Sequence, residues 1–190
     1  MIKIFEFYFD FSSPYSFLAH KQIRKIELEN NIKVNYKPVL LGGLHKLAGI
    51  TANAFIPAKA KFMIRDCKMC AEKLNIEFKF NSFFPISSLD LMRGVLIAEK
   101  NNKKKEYIDI FFDAYWKNDF NLNDKNLILK LLKKIALSKM EFEDKIKNEL
   151  KNKTQEAFNR GIFGTPSFMV NNKMFFGQDR IEFVLKEAEK

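Results

Sequence analysis

Residues 2–9 (IKIFEFYF) alternate with a period of two and are rich in aromatic and β-branched side chains, which predicts a strand. Asp10 to Pro14 is turn material. From Tyr15 the period changes: Phe17, Leu18, Ile23 and Ile26 recur at helical spacing, so a helix runs to about Glu29, where Asn30-Asn31 stops it. Residues 32–41 (IKVNYKPVLL) predict a second strand, with Pro38 marking an edge or a bend. A Gly42-Gly43 turn then leads to a short apolar segment ending near Ile50. A helix beginning at Pro57 covers 57–74, and further helical patterns cover about 87–100, 104–117, 124–137, 141–150 and 152–160. Asn101-Asn102 and Asn118 to Asn123 are breaks between them. The end returns to strands at 166–170 and 173–176, joined by an Asn171-Asn172 hairpin turn, and Asp179 opens a last amphipathic helix through Lys190.

The order is βαβ, a helical block, then ββα. A helix between the first two strands favours parallel pairing. The pattern therefore predicts an α/β chain: a thioredoxin-like sheet (β-α-β plus β-β-α) from residues 1–42 and 161–190, with an inserted all-helical subdomain over 43–160. There is no fixed-period repeat and no low-complexity linker.

Composition narrows the class. The 190 residues are 47% hydrophobic and 29% charged, values of a globular chain, and 21 phenylalanines predict an aromatic-rich core. The net charge is +10, from 33 Lys+Arg against 23 Asp+Glu, but the lysines are interleaved with acids and no nucleic-acid motif accompanies them. The Lys-rich stretch 130–153 is read as a solvated helical face, and no nucleic-acid partner is expected. No apolar run approaches the roughly 20 residues that span a membrane, and Met1 to Phe7 does not resemble a secretory leader. No membrane association is expected, and the expected location is the cytoplasm.

Candidate chemistry gathers at the first turn. Ser13 suits a helix N-cap, and Pro14 the first helical position. A helix N-terminus presents unpaired N–H groups and the positive end of the dipole, which stabilise an anionic sulfur. Ser13-Pro14-Tyr15-Ser16 has the spacing of a C-x-x-C redox turn with serine in place of cysteine, so this turn forms no disulfide. Its hydroxyl can donate to a thiolate supplied by another molecule, or Ser13-Pro14 can be simply a helix start. The two cysteines, Cys67 and Cys70, form a literal C-x-x-C inside the helix 57–74, where core packing, a reactive pair and a metal site are all readings of the spacing. His20 is read as structural, and His45 has no assigned role. Phe83-Phe84-Pro85 and Tyr115-Trp116 fit either core or the wall of an apolar pocket.

Three segments in order along the chain, DFSSPYSFLA from Asp10, NAFIPAKAKFMIRD from Asn53 and GIFGTPSFMVNNKMFFGQDR from Gly161, resemble the 2-hydroxychromene-2-carboxylate isomerases and kappa-class glutathione transferases, relatives of DsbA. The resemblance implies glutathione as cofactor and a small aromatic carboxylate as substrate. It implies that Ser13, and not Ser12, contacts the glutathione sulfur, and that Thr165-Pro166 is a cis bond facing the first helix turn. The Thr165 backbone would then pair with the cysteine part of glutathione. Gln178 and Asp179 would bind its γ-glutamyl end, and Asn53 and Lys59 its glycyl and thiol ends, with Lys61 an alternative to Lys59. Arg65 and Asp66 belong to the same pattern, and an ion pair between them is an alternative reading. Family members are often dimers, so a homodimer is compatible with the resemblance. The function implied is a glutathione-dependent isomerase; the alternatives are a transferase conjugating glutathione to an electrophile and a non-catalytic thioredoxin-like binding module.

Overall fold

A computed structural model describes residues 3–29, 32–138 and 143–190. Its elements are β1 (Lys3–Phe9), α1 (Pro14–Glu29), β2 (Ile32–Pro38), α2 (Leu41–Ala48), α3 (Pro57–Lys73), α4 (Leu89–Lys100), α5 (Lys104–Trp116), α6 (Lys125–Lys134), α7 (Asp144–Asn159), β3 (Ser167–Val170), β4 (Lys173–Phe176) and α8 (Ile181–Glu187). Short 3-10 turns cover Asn53–Phe55 and Gln178–Arg180. The sheet order is β2-β1-β3-β4. β1 and β2 are parallel, with Phe5 opposite Val34, whereas β1–β3 and β3–β4 are antiparallel. This is the mixed α/β, thioredoxin-like sheet that the element order predicts. Pro38 ends the edge strand β2, where its missing N–H costs no ladder bond. Asn171 and Asn172, both at positive φ, turn β3 into β4.

The period of two in β1 sends Phe5, Phe7 and Phe9 to one face and Glu6 and Tyr8 to the other. The phenylalanine face meets α1 and α5. Phe7 stacks on Phe168 at 5.4 Å, Phe9 meets Phe112 at 5.8 Å and Phe11 meets Phe112 at 4.8 Å. Each such pair contributes about 0.5–1.5 kcal/mol beyond burial. One cluster of buried side chains joins the sheet to α4, α5, α6 and α7, so residues 43–160 and the two terminal segments share a core. A smaller cluster, with Tyr8, Leu44, Ala157 and Met169, packs α2 and α7 on the opposite face of the sheet.

Several expectations need correction. Gly42-Gly43 is not a turn but part of α2. A Cβ on Gly43 would fall 3.2 Å from Thr154 Cγ2, so glycine lets α2 approach α7 there. The second strand stops at Pro38, short of residue 41. The separate helical patterns at 141–150 and 152–160 are one continuous helix, α7, whose Ile146, Leu150, Thr154 and Ala157 form a single buried stripe. Asn30-Asn31 and residues 141–142 lie outside the described residues. The last helix opens through the Gln178–Arg180 turn and ends at Glu187.

Candidate active site

The site begins where β1 runs out. Asp10 is wholly buried, and its carboxylate fixes the turn. One oxygen accepts from the Ser12 N–H at 2.8 Å and the Ser12 hydroxyl at 2.9 Å. The other accepts from the Leu41 N–H at 2.7 Å, the first amide of α2. Burial pushes the Asp10 carboxyl up, opposed by these donors. The sequence reading missed Asp10, because its chief partner lies 31 residues away.

The turn delivers Ser13 to the head of α1. Its Oγ accepts from the Ser16 N–H at 3.1 Å, as an N-cap does, and its O–H donates to the Thr165 carbonyl at 3.1 Å. Ser13 is 3% exposed. The Thr165–Pro166 peptide is cis and faces this turn, as is a second cis bond, Phe84–Pro85, that the sequence reading did not anticipate. The Thr165 hydroxyl is fully buried and has no hydrogen-bond partner. Beyond β4, Gly177 adopts φ 111°, and a Cβ there would sit 2.6 Å from Asp179 Oδ1. Glycine is therefore needed to swing Gln178 and Asp179 toward α1. Gln22 Nε2 donates to Gln178 Oε1 at 3.1 Å, and Gln178 Nε2 contacts Cys70 Sγ at 3.4 Å.

Helix α3 forms the facing wall. Tyr15 donates its hydroxyl to Asp66 Oδ2 at 2.7 Å. Asp66 thus pairs with the first turn of α1, not with Arg65, whose guanidinium lies over the Phe62 ring. The C-x-x-C is divided. Cys67 is fully buried in the core, while Cys70 is half-buried on the wall of the site. Burial pushes the Cys67 thiol up to about 12. Cys70 is also raised, by burial and then by Asp66 and Asp179. Among the described residues no group of three or more His, Cys, Asp or Glu side chains is placed to hold a metal ion, and no helix is long and apolar enough to cross a membrane.

These elements enclose a cavity of about 1240 Å³. Of the residues singled out in the sequence, Ser13, Asn53, Thr165, Pro166, Gln178 and Asp179 line it together. Lys59 does not. It borders an adjoining recess of about 410 Å³ that shares Tyr15 and Asn53 with the main cavity. Phe84 and Pro85 are on the cavity wall, whereas Tyr115 and Trp116 are core. His45 also lines the cavity; burial holds its imidazole below the usual range, with the Asp10 charge acting against that. His20 is core, bonded to Asp109 at 2.7 Å and stacked on Phe112 at 5.1 Å. Gln22 was missed, since it faces the site only through helix packing, and Cys70, singled out with Cys67 but given no place at the site, is brought to the cavity wall by α3.

The chain is similar over nearly its whole length to characterised proteins. It is 24% identical to a 2-hydroxychromene-2-carboxylate isomerase of Sphingobium xenophagum, covering 97% of each chain. It is likewise 24% identical to human glutathione S-transferase kappa 1, covering 94% of this chain and 88% of that one. A solved 2-hydroxychromene-2-carboxylate isomerase superposes with a TM-score of 0.87 at 22% identity, covering 98% and 94% of the two chains. The family described as DSBA-like thioredoxin domain matches residues 4–189, and the chain belongs to that family.

Proposed function

We propose that this protein is a glutathione-dependent isomerase acting on a conjugated aromatic keto acid, with Ser13 as the residue that holds the thiolate. The observation that carries the reading is the Ser13 hydroxyl, buried at the head of α1 opposite the cis Thr165–Pro166 bond and inside a cavity large enough for two small molecules. The residues present fit a γ-glutamyl-cysteinyl-glycine. Asp179 offers a carboxylate for its ammonium, and Gln178 a neighbouring amide. The Thr165 backbone offers an edge for the peptide, and Asn53 and Lys59, which border the adjoining recess, offer polar groups for its glycyl end. The orphaned Thr165 hydroxyl is a further polar group lacking a partner in the protein alone.

Bound glutathione supplies a thiolate that adds reversibly to a conjugated double bond, which becomes single and free to rotate. The chain's own part is to hold that sulfur ionised and to orient the substrate. A free thiol near pKa 8.5 is mostly protonated at neutral pH. A hydroxyl donor and the positive end of α1 favour the charged form. To donate to the sulfur, Ser13 turns its hydrogen away from the Thr165 carbonyl, which frees that carbonyl for an amide of the peptide. The apolar wall, with Leu41, Ile50, Phe84, Ile86, Phe163 and Phe176, receives an aromatic ring and excludes water.

A second reading, conjugation of glutathione to an electrophile, is favoured by one feature: the cavity lining is mostly apolar, with Lys73 its one lysine and no arginine, which suits an uncharged partner. Calorimetry with glutathione, followed by assays on 2-hydroxychromene-2-carboxylate and on an aryl halide, tests both. Binding together with isomerisation is expected. Conjugation without isomerisation selects the second reading, and no glutathione binding overturns both in favour of a non-catalytic module.

A further inference from the structure

The cavity wall formed by the Ser12-Ser13 turn and the start of α2 has a polar feature that the proposed chemistry leaves unused. Asp10 ties the Ser12 amide to the first amide of α2, so the Ser12-Ser13 turn and the start of α2 are held side by side. His45 lies four residues after Leu41, hence on the same face of α2. Both line the cavity. Leu41, whose amide Asp10 holds, shares that face with His45, so His45 enters the cavity from the helix end tied to the Ser12-Ser13 turn, and the Asp10 charge acts on its imidazole. The lining beside it mixes apolar side chains, Leu40, Leu41, Ile50, Ile86 and Leu89, with the hydroxyls of Thr51, Ser87 and Ser88. The cavity's other basic side chain, Lys73, is near Cys70 on α3. His45 is the polar side chain that α2 itself brings to the cavity.

The geometry points to His45 as the catalytic residue that hydrogen-bonds the substrate's keto oxygen, a role that rests on the glutathione-dependent reading above. Burial shifts the imidazole toward its neutral form, and a neutral imidazole still offers one N–H donor. When a C–S bond forms at the far carbon of the C=C–C=O system, the displaced π pair moves onto the keto oxygen. The His45 N–H stabilises that charge while the former double bond rotates. The pair then returns, C=C re-forms and the C–S bond breaks, with no net proton and no oxidant or reductant consumed. Such a preorganised donor matters most for the charged oxygen and little for the ground-state carbonyl.

The test uses the full chain and two variants, His45→Ala and His45→Gln. Nitrogen-15 spectra of the imidazole are recorded on adding 4-phenyl-2-oxobutanoate, a saturated aryl keto acid that cannot react. The expected result is a shift of the His45 ring nitrogens, and unmoved nitrogens overturn the assignment. Glutathione affinity is expected to be unchanged in both variants, and keto-acid isomerisation is expected to lose about 10²-fold in kcat for His45→Ala, the loss of one oxyanion donor. His45→Gln, which keeps an N–H, is expected to recover about tenfold of that. A kcat for His45→Ala within about threefold of the parent, with glutathione still bound, overturns the inference and leaves the functional reading standing. Failure of the parent to bind glutathione overturns the reading instead, and the ring shifts then decide alone whether His45 meets a keto acid.

Discussion

The chain carries two four-residue segments of the same form, Ser13-Pro14-Tyr15-Ser16 and Cys67-Lys68-Met69-Cys70, and they face each other where Tyr15 donates to Asp66. The first opens α1 and the second sits inside α3. The cysteines have the more reactive atoms but the poorer position: mid-helix, with no free amides nearby, and with burial driving both thiols toward the protonated form. The serines have weakly acidic hydroxyls but occupy a helix head, where donors converge. Position in the fold, and not the intrinsic chemistry of the side chain, decides which segment can handle an anionic sulfur.

The sharpest way to break this contrast is Ser13→Ala. It is expected to lower kcat/KM for the glutathione-dependent reaction by about 10²–10³-fold, measured at saturating glutathione. Activity at the parent level would move the chemistry away from the head of α1. Next in size is Tyr15→Phe, which removes the link between the segments. Denaturant unfolding is expected to show a loss of about 1.5–3 kcal/mol, the range for a hydrogen bond to a charged group. An unchanged midpoint would mean that the two helices are held without it.

The third concerns Cys67. Its folded thiol is raised to about 12, against about 8.5 unfolded. A group whose folded pKa is raised contributes stability that is complete below the unfolded value and is lost as pH rises toward the folded one. Stability is therefore expected to fall between about pH 8.5 and 12, by about 1.4 kcal/mol per pH unit from this group. Comparison with Cys67→Ala isolates the slope, and equal slopes would refute the burial argument. The smallest effect is kinetic: iodoacetamide at pH 8 is expected to label Cys70 at least about tenfold faster than Cys67, read by peptide mass spectrometry, because only the Cys70 thiol reaches the cavity.

Much of this frame was legible in the sequence. The alternation of β1, the Ser13 cap and the Asn171-Asn172 hairpin are local signals with local causes, and each stands where the pattern put it. The misreadings share a different cause. Helix α2 has no side-chain cap, and its first amide is satisfied by Asp10 from another part of the chain. Gly42-Gly43 then reads as a turn, because the reason for Gly43 is Thr154 of α7. The division of α7 arose from a lysine-rich stretch whose buried stripe is only one residue wide. Within the site, the serine, the Thr165-Pro166 pair and Gln178-Asp179 were named from motifs, whereas Gln22, and which of the two cysteines reaches the site, became visible only once α1, α3 and the Gln178 turn were packed together. Lys59 shows the limit from the other side: the motif names it, and the fold sets it in a neighbouring recess.

The single tryptophan of the chain closes the path between core and site. Trp116 is fully buried, donates its indole N–H to the Phe11 carbonyl at 2.8 Å, and packs on Phe78, Phe80 and Phe84. Phe11 lies two residues before Ser13, and Phe84 is part of the cavity wall. The fluorophore is therefore wired to both sides of the site while shielded from solvent. Its emission needs no label to report on the turn beneath Ser13, and a change in its intensity on titration would be an optical signal of occupancy, independent of any turnover.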